Sequence, residues 1–110
     1  MDFYINSMLA QKYGIKEAII LDVIDEELFK REEKNAPRIC GKCFLRMSAK
    51  MLSAKVPMLT VSSANRVLKH LVDAGILASA ELNATPFDRT RSYTFTDYGE
   101  CVMDAAYVGK

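Results

Sequence analysis

The sequence predicts a mainly helical α+β fold with a small antiparallel sheet, and three observations carry that reading. Apolar residues recur at helical spacing over 15–29 and again over 61–71. Short apolar or alternating runs at 43–47, 76–81 and 91–96 have the length and composition of strands. Capping residues and breakers (Asn6, Gly14, Ser48, Pro57, Thr60, Gly75) separate these segments.

Taken in order, Asn6 caps a short helix through Tyr13, and Gly14 supplies a left-handed stop. Ile15, Ala18, Ile19, Ile20, Leu21, Val23, Ile24, Leu28 and Phe29 then form the apolar stripe of a long helix ending near Arg31, with Asp22, Asp25 and Glu26 on the other side. EKNAPRICGK reads as a loop, broken by Pro37 and Gly41. Cys43 to Met47 reads as a strand of about five residues. Ser48 caps a helix over 49–55, which Pro57 stops. Thr60 caps the next, in which Val61, Ala64, Val67, Leu68 and Leu71 share one face and Gly75 marks the exit. A strand follows from Ile76 to about Glu81, then a turn at 83–88, then a strand over 91–96 with one wet face. Asp97 and Glu100 make a capping box for a last helix through about Tyr107.

A chain of 110 residues that is 50% hydrophobic, with few Gly and Pro, fits one domain over 1–110 and excludes a disordered tail or a collagen-like repeat. No run approaches the ~18 apolar residues of a membrane helix. The opening MDFYINSMLAQK lacks the basic start and long apolar run of a signal peptide, so the cytoplasm and reduced thiols are expected. A core of this size supports a surface site rather than a deep catalytic cleft.

The net charge of +1 conceals a division. Residues 17–33 carry seven acids and two bases, whereas 37–72 carry seven bases (Arg38, Lys42, Arg46, Lys50, Lys55, Arg66, Lys69) and no acid. A one-signed stretch of that length suits an anionic partner, and nucleic acid is the commonest large anion in a cytoplasm. Read alone, it is equally a solvated face.

Two short helices joined by a tight turn, the second followed by a hairpin, form a helix-turn-helix whose second helix fits a DNA major groove about 12 Å wide. The run Pro57–Leu77, with its Leu71-Val72-Asp73-Ala74-Gly75-Ile76-Leu77 exit, resembles the turn and recognition helix of winged-helix domains. Asp88-Arg89-Thr90-Arg91-Ser92-Tyr93-Thr94-Phe95-Thr96-Asp97-Tyr98-Gly99 is similar to the basic wing and Leu-Thr-x-x-Gly of MarR-type regulators, with Phe95 in place of Leu. Leu9 to Leu21 resembles the N-terminal domains of phage and plasmid replication proteins. The resemblance implies a double-stranded DNA binder that performs no chemistry and regulates transcription or replication initiation on a phage or mobile element. The alternative is a winged helix used as a protein-interaction module.

With Ala64, Val67, Leu68 and Leu71 inward, Ser62, Ser63, Asn65, Arg66, Lys69 and His70 point outward or to the rim. Arg66 can pair with guanine O6 and N7 and Asn65 with adenine N6 and N7, while Thr60, Ser62 and Ser63 sit near a helix N-terminus that suits phosphate. Arg89 and Arg91 lie beside the hairpin turn, placed for a minor groove or a phosphate. Lys50 and Lys55, with Arg46 and Lys42, are expected to touch backbone phosphate at most.

Cys40-Gly41-Lys42-Cys43 has the spacing of half a zinc site, but the remaining candidates, Cys101 and His70, make no second pair. No metal and no cofactor is expected, and Cys43 reads as a small hydrophobe. Phe3, Tyr4, Ile5 and Met8 are either core or the seam of a homodimer.

Overall fold

The computed structural model describes residues 5–83, 85 and 87–108. Phe3 and Tyr4, and the Ala84 and Pro86 positions of the turn, lie outside the described residues. The architecture is α+β, mainly helical, in the order α1 (Ser7–Tyr13), α2 (Ile15–Glu33), β1 (Arg38–Ile39), β2 (Lys42–Cys43), β3 (Leu45–Arg46), α3 (Ala49–Lys55), α4 (Val61–Asp73), β4 (Leu77–Ala80), β5 (Ser92–Phe95) and α5 (Asp97–Val108).

The caps explain why the helices begin where they do. The side chains of Asn6, Ser48 and Thr60 accept from the backbone N–H of Leu9, Met51 and Ser63 at 3.0–3.1 Å, each filling an otherwise orphaned first-turn donor. Gly14 ends α1 with φ 121 and ψ 158, an extended conformation open in practice only to glycine, rather than the left-handed stop expected of it. Helix α2 is the spine of the core. Its consecutive residues Ala18, Ile19, Ile20 and Leu21 are all buried, so it is enclosed on most of its circumference. It packs against α1, α4 and β3. Phe29 and Ile15, expected in the buried stripe, are instead 60% and 61% exposed: Ile15 is the first residue of α2, and Phe29 falls on the face that carries exposed Asp25 and Glu26, next to buried Leu28.

The expected strand at 43–47 is split. Lys42–Cys43 pairs back on Arg38–Ile39 through a two-residue turn with Cys40 and Gly41 at φ 51 and 77, the type I′ geometry that matches hairpin twist. Leu45–Arg46 joins a different sheet, of order β3-β5-β4, all antiparallel. That order corrects the expectation of one wet face on 91–96. Strand β5 is central, and all four of its residues are buried.

Helix α5 is capped by Thr96, not Asp97. The Thr96 hydroxyl oxygen accepts from Gly99 N–H at 2.8 Å, and its O–H is directed at the carbonyls of Gly75 and Ile76. This ties the first turn of α5 to the end of α4. A Cβ at Gly99 would run into the Ile76 carbonyl, so the Thr-x-x-Gly spacing is a requirement of backbone approach.

Candidate functional site

Helix α4 presents the candidate residues because its apolar positions leave it no other choice. At about 100° per residue, Ala64, Val67, Leu68 and Leu71 converge on the core, where all four are buried. Ser62, Arg66 and Lys69 then fall on the opposite side, and all three are exposed, with Asp73 at the far end of the face. Asn65 lies on the flank toward the sheet; Ser63 and His70 lie on the flank toward α2.

That geometry divides the expected site residues. His70 does not join the outward face: its Nδ1 lies 2.8 Å from Glu17 Oε2, so it pins α4 to the start of α2. Ser63 receives a hydrogen bond from Lys16 Nζ at 3.4 Å, and its backbone N–H is used by Thr60 Oγ1, so neither is open to a phosphate as expected. Lys55 pairs with Glu27 at 3.3 Å across to α2 instead of facing outward. Lys42 is held between Asp97 and Glu100 at 3.1 and 3.0 Å, which raises its pKa above the ordinary lysine value through these bonds. Arg46 pairs with Asp88 and also donates to Asn83 Oδ1.

Among the described residues, Lys50, Arg66, Lys69, Arg89 and Arg91 have no carboxylate partner. The basic stretch is thus partly neutralised by distant acids; Arg38 on β1, Lys50 on α3 and Arg66 and Lys69 on α4 survive in it, joined by Arg89 and Arg91 beside the hairpin. Arg89 and Arg91 are exposed. Asp88, next to Arg89 in sequence, is committed elsewhere. Its Oδ1 accepts from Thr90 N–H at 3.0 Å and its Oδ2 from Arg46, and these bonds hold the carboxyl below its usual pKa.

Sequence reasoning missed three features here. Asn83 Nδ2 donates to the carbonyls of Asp88 and Thr90 at 2.8 and 2.6 Å, so the hairpin loop is closed by side chains across its base. Phe87 is 93% exposed beside Arg89. A groove of about 350 Å³ separates α4 from the sheet, lined by Asn65, Leu68, Lys69, Val72, Ser79, Arg91 and Tyr93. The position of Asn83 before a turn was a usable signal for the first; the groove depends on how α4 crosses β4 and β5, which no local pattern encodes.

The cysteines show no shared geometry. Cys43 is buried, with its thiol 3.8 Å from the Ala36 carbonyl, whereas Cys40 and Cys101 are exposed. Among the described residues no group of three His, Cys, Asp or Glu side chains is placed to hold a metal ion, and no helix is long and apolar enough to cross a membrane. Ile5 and Met8, left open as core or seam, are 45% and 53% exposed, and Met8 lines an apolar groove between α1 and α5. No family model, curated protein or solved structure matches the chain.

Proposed function

We propose that the chain is a winged helix-turn-helix domain that binds double-stranded DNA and carries out no chemistry. In this reading α3 and α4 are the helix-turn-helix, α4 enters the major groove, and the β4–β5 hairpin is the wing. The observation that supports it best is the distribution of uncompensated cations. Acids elsewhere in the fold neutralise Lys42, Arg46 and Lys55 and engage His70, yet leave Arg66 and Lys69 on α4 and Arg89 and Arg91 on the hairpin without a carboxylate. Lys12, Lys16, Arg31, Lys34, Arg38 and Lys50 also lack a carboxylate among the described residues, but on α4 and the hairpin the free cations stand on adjoining elements, an arrangement that suits a duplex.

Roles follow from position. Arg66, exposed at the middle of α4, is placed for bidentate pairing with guanine, with Asn65 beside it for adenine. Lys50, Ser62 and Arg89 supply phosphate contacts that fix orientation. The resemblance of 9–21 and 88–99 to replication proteins and MarR-type regulators makes control of transcription or replication initiation the process in which such binding would act.

Selection of bound sequences from random duplex DNA tests the reading. Enrichment of a defined site that requires Arg66 supports it, with a palindrome pointing to a dimeric regulator and a direct repeat to an origin binder. Absence of any salt-dependent retention on duplex DNA would overturn it.

A further inference from the structure

The groove between α4 and the sheet is continuous with the outward face of α4, since Lys69 belongs to both. Its polar lining is one-sided: Asn65, Lys69, Ser79 and Arg91 supply two cations, an amide and a hydroxyl, and none of the described lining residues is acidic. Leu68, Val72 and Tyr93 form the apolar part of the wall. Resting on the DNA-binding reading above, we infer that this groove is a single phosphate clamp, in which Lys69 from α4 and Arg91, the residue that leads into β5, grip the same backbone phosphate of the duplex.

The placement of Arg91 distinguishes it from Arg89, two residues earlier. The Arg91 carbonyl accepts from Met47 N–H at 3.1 Å, which anchors its backbone to the chain just after β3. Its Nη1 donates to Ser79 Oγ at 3.4 Å, and Ser79 lies directly opposite Tyr93 in the β4–β5 register. The guanidinium is therefore drawn over the sheet toward α4 and not out along the hairpin. Arg89 has no such tether among the described residues and sits in the loop. A cation mounted on the sheet loses less freedom on binding than one on a loop, so Arg91 suits a fixed phosphate and Arg89 an adaptable contact. The clamp also gives Ser79 a function, as a positioning residue acting through Arg91.

The two arrangements predict different arithmetic. If Lys69 and Arg91 share one phosphate, each alanine substitution weakens duplex binding about tenfold, and the double variant loses scarcely more than either single one. If they contact different phosphates, the losses multiply to about a hundredfold. The salt slope separates the cases independently, because it counts neutralised phosphates: a shared phosphate lowers it by about one in the double variant, separate ones by about two.

The experiment is a double-mutant cycle of Lys69→Ala and Arg91→Ala on a fixed duplex across a salt series. A parallel cycle of Lys69→Ala with Arg89→Ala serves as the independent pair, and melting curves confirm folding. Non-multiplicative loss in the first cycle with multiplicative loss in the second is the expected result. Multiplicative loss in both, with wild-type duplex binding intact, would overturn the clamp and leave the DNA reading standing. Failure of the wild-type chain to bind duplex DNA at low salt would overturn both.

Discussion

Lys55 and Lys69 are both helical lysines in the same acid-free stretch of sequence, yet the fold treats them in opposite ways. Lys55 reaches back to Glu27 on α2, whereas Lys69 stands on the outward side of α4 and forms no ion pair among the described residues, Asp73 one turn on included. The same division separates Lys42 and His70, matched by acids of α5 and α2 far away in sequence, from Arg66, Arg89 and Arg91, which have no carboxylate partner among the described residues. A one-signed run of sequence is therefore not itself a binding surface. The surface is what remains after tertiary pairing has removed the cations used inside the fold.

The comparison depends on the frame that separates the two faces, and the largest effects come from breaking it. Leu68→Asp places an unpaired charge among the buried residues of α4 and should cost about 3–5 kcal/mol or abolish folding. A wild-type melting temperature would mean that the faces of α4 are assigned wrongly. Gly99→Ala drives a methyl into the Ile76 carbonyl, where α5 meets the end of α4. We expect a loss of roughly 1–3 kcal/mol in denaturant unfolding; unchanged stability would show that this approach is looser than described.

Arg66→Ala sharpens the comparison without touching the frame. It should cost about 1–3 kcal/mol on a selected cognate duplex and little on random DNA. Equal loss on both would reduce Arg66 to a phosphate contact.

The smallest effect concerns the acidic side. Asp22 accepts a hydrogen bond from Tyr107 at 3.2 Å, but burial outweighs it and raises the carboxyl pKa above its ordinary value of 3.8. Because the folded state holds that proton more tightly than the unfolded one, stability falls as pH rises from about 3.8 through the folded pKa. Above that window the deficit is constant. Asp22→Asn removes it, so the variant should be slightly more stable than wild type near pH 7. The advantage should shrink on acidification as the wild-type carboxyl takes up its proton. A stability difference that does not change with pH would show that the charge is not the cause.

How much of this was legible in the sequence follows the range of the interaction. Caps act over three residues, and the starts of α1, α3 and α4 were readable at Asn6, Ser48 and Thr60. Helical periodicity over 61–71 identified Ala64, Val67, Leu68 and Leu71 as the buried face of α4, whereas Val61, expected on the same stripe, is exposed in the first turn. The β1–β2 hairpin escaped because two-residue strands carry no periodicity and Cys-Gly is not a conventional type I′ pair. The wet face expected for β5 failed because alternation does not say whether a strand is central, and the partner on one side, β3, comes from more than 40 residues earlier in the chain. At the site, the exposure of Ser62, Asn65 and Arg66 followed from helix geometry. The withdrawal of Lys55, Lys42 and His70 did not, since their partners lie 28, 58 and 53 residues away.

The most direct test uses two triple variants that remove the same net charge. One replaces Arg66, Lys69 and Arg89 with alanine, and the other replaces Lys42, Arg46 and Lys55. The measurement is the dependence of duplex affinity on salt for each, beside wild type. The free set should lower the salt slope by about three and most of the affinity with it, while the paired set leaves the slope close to wild type. Equal falls in both variants would contradict the account, because net charge rather than the division of cations between faces would then govern binding.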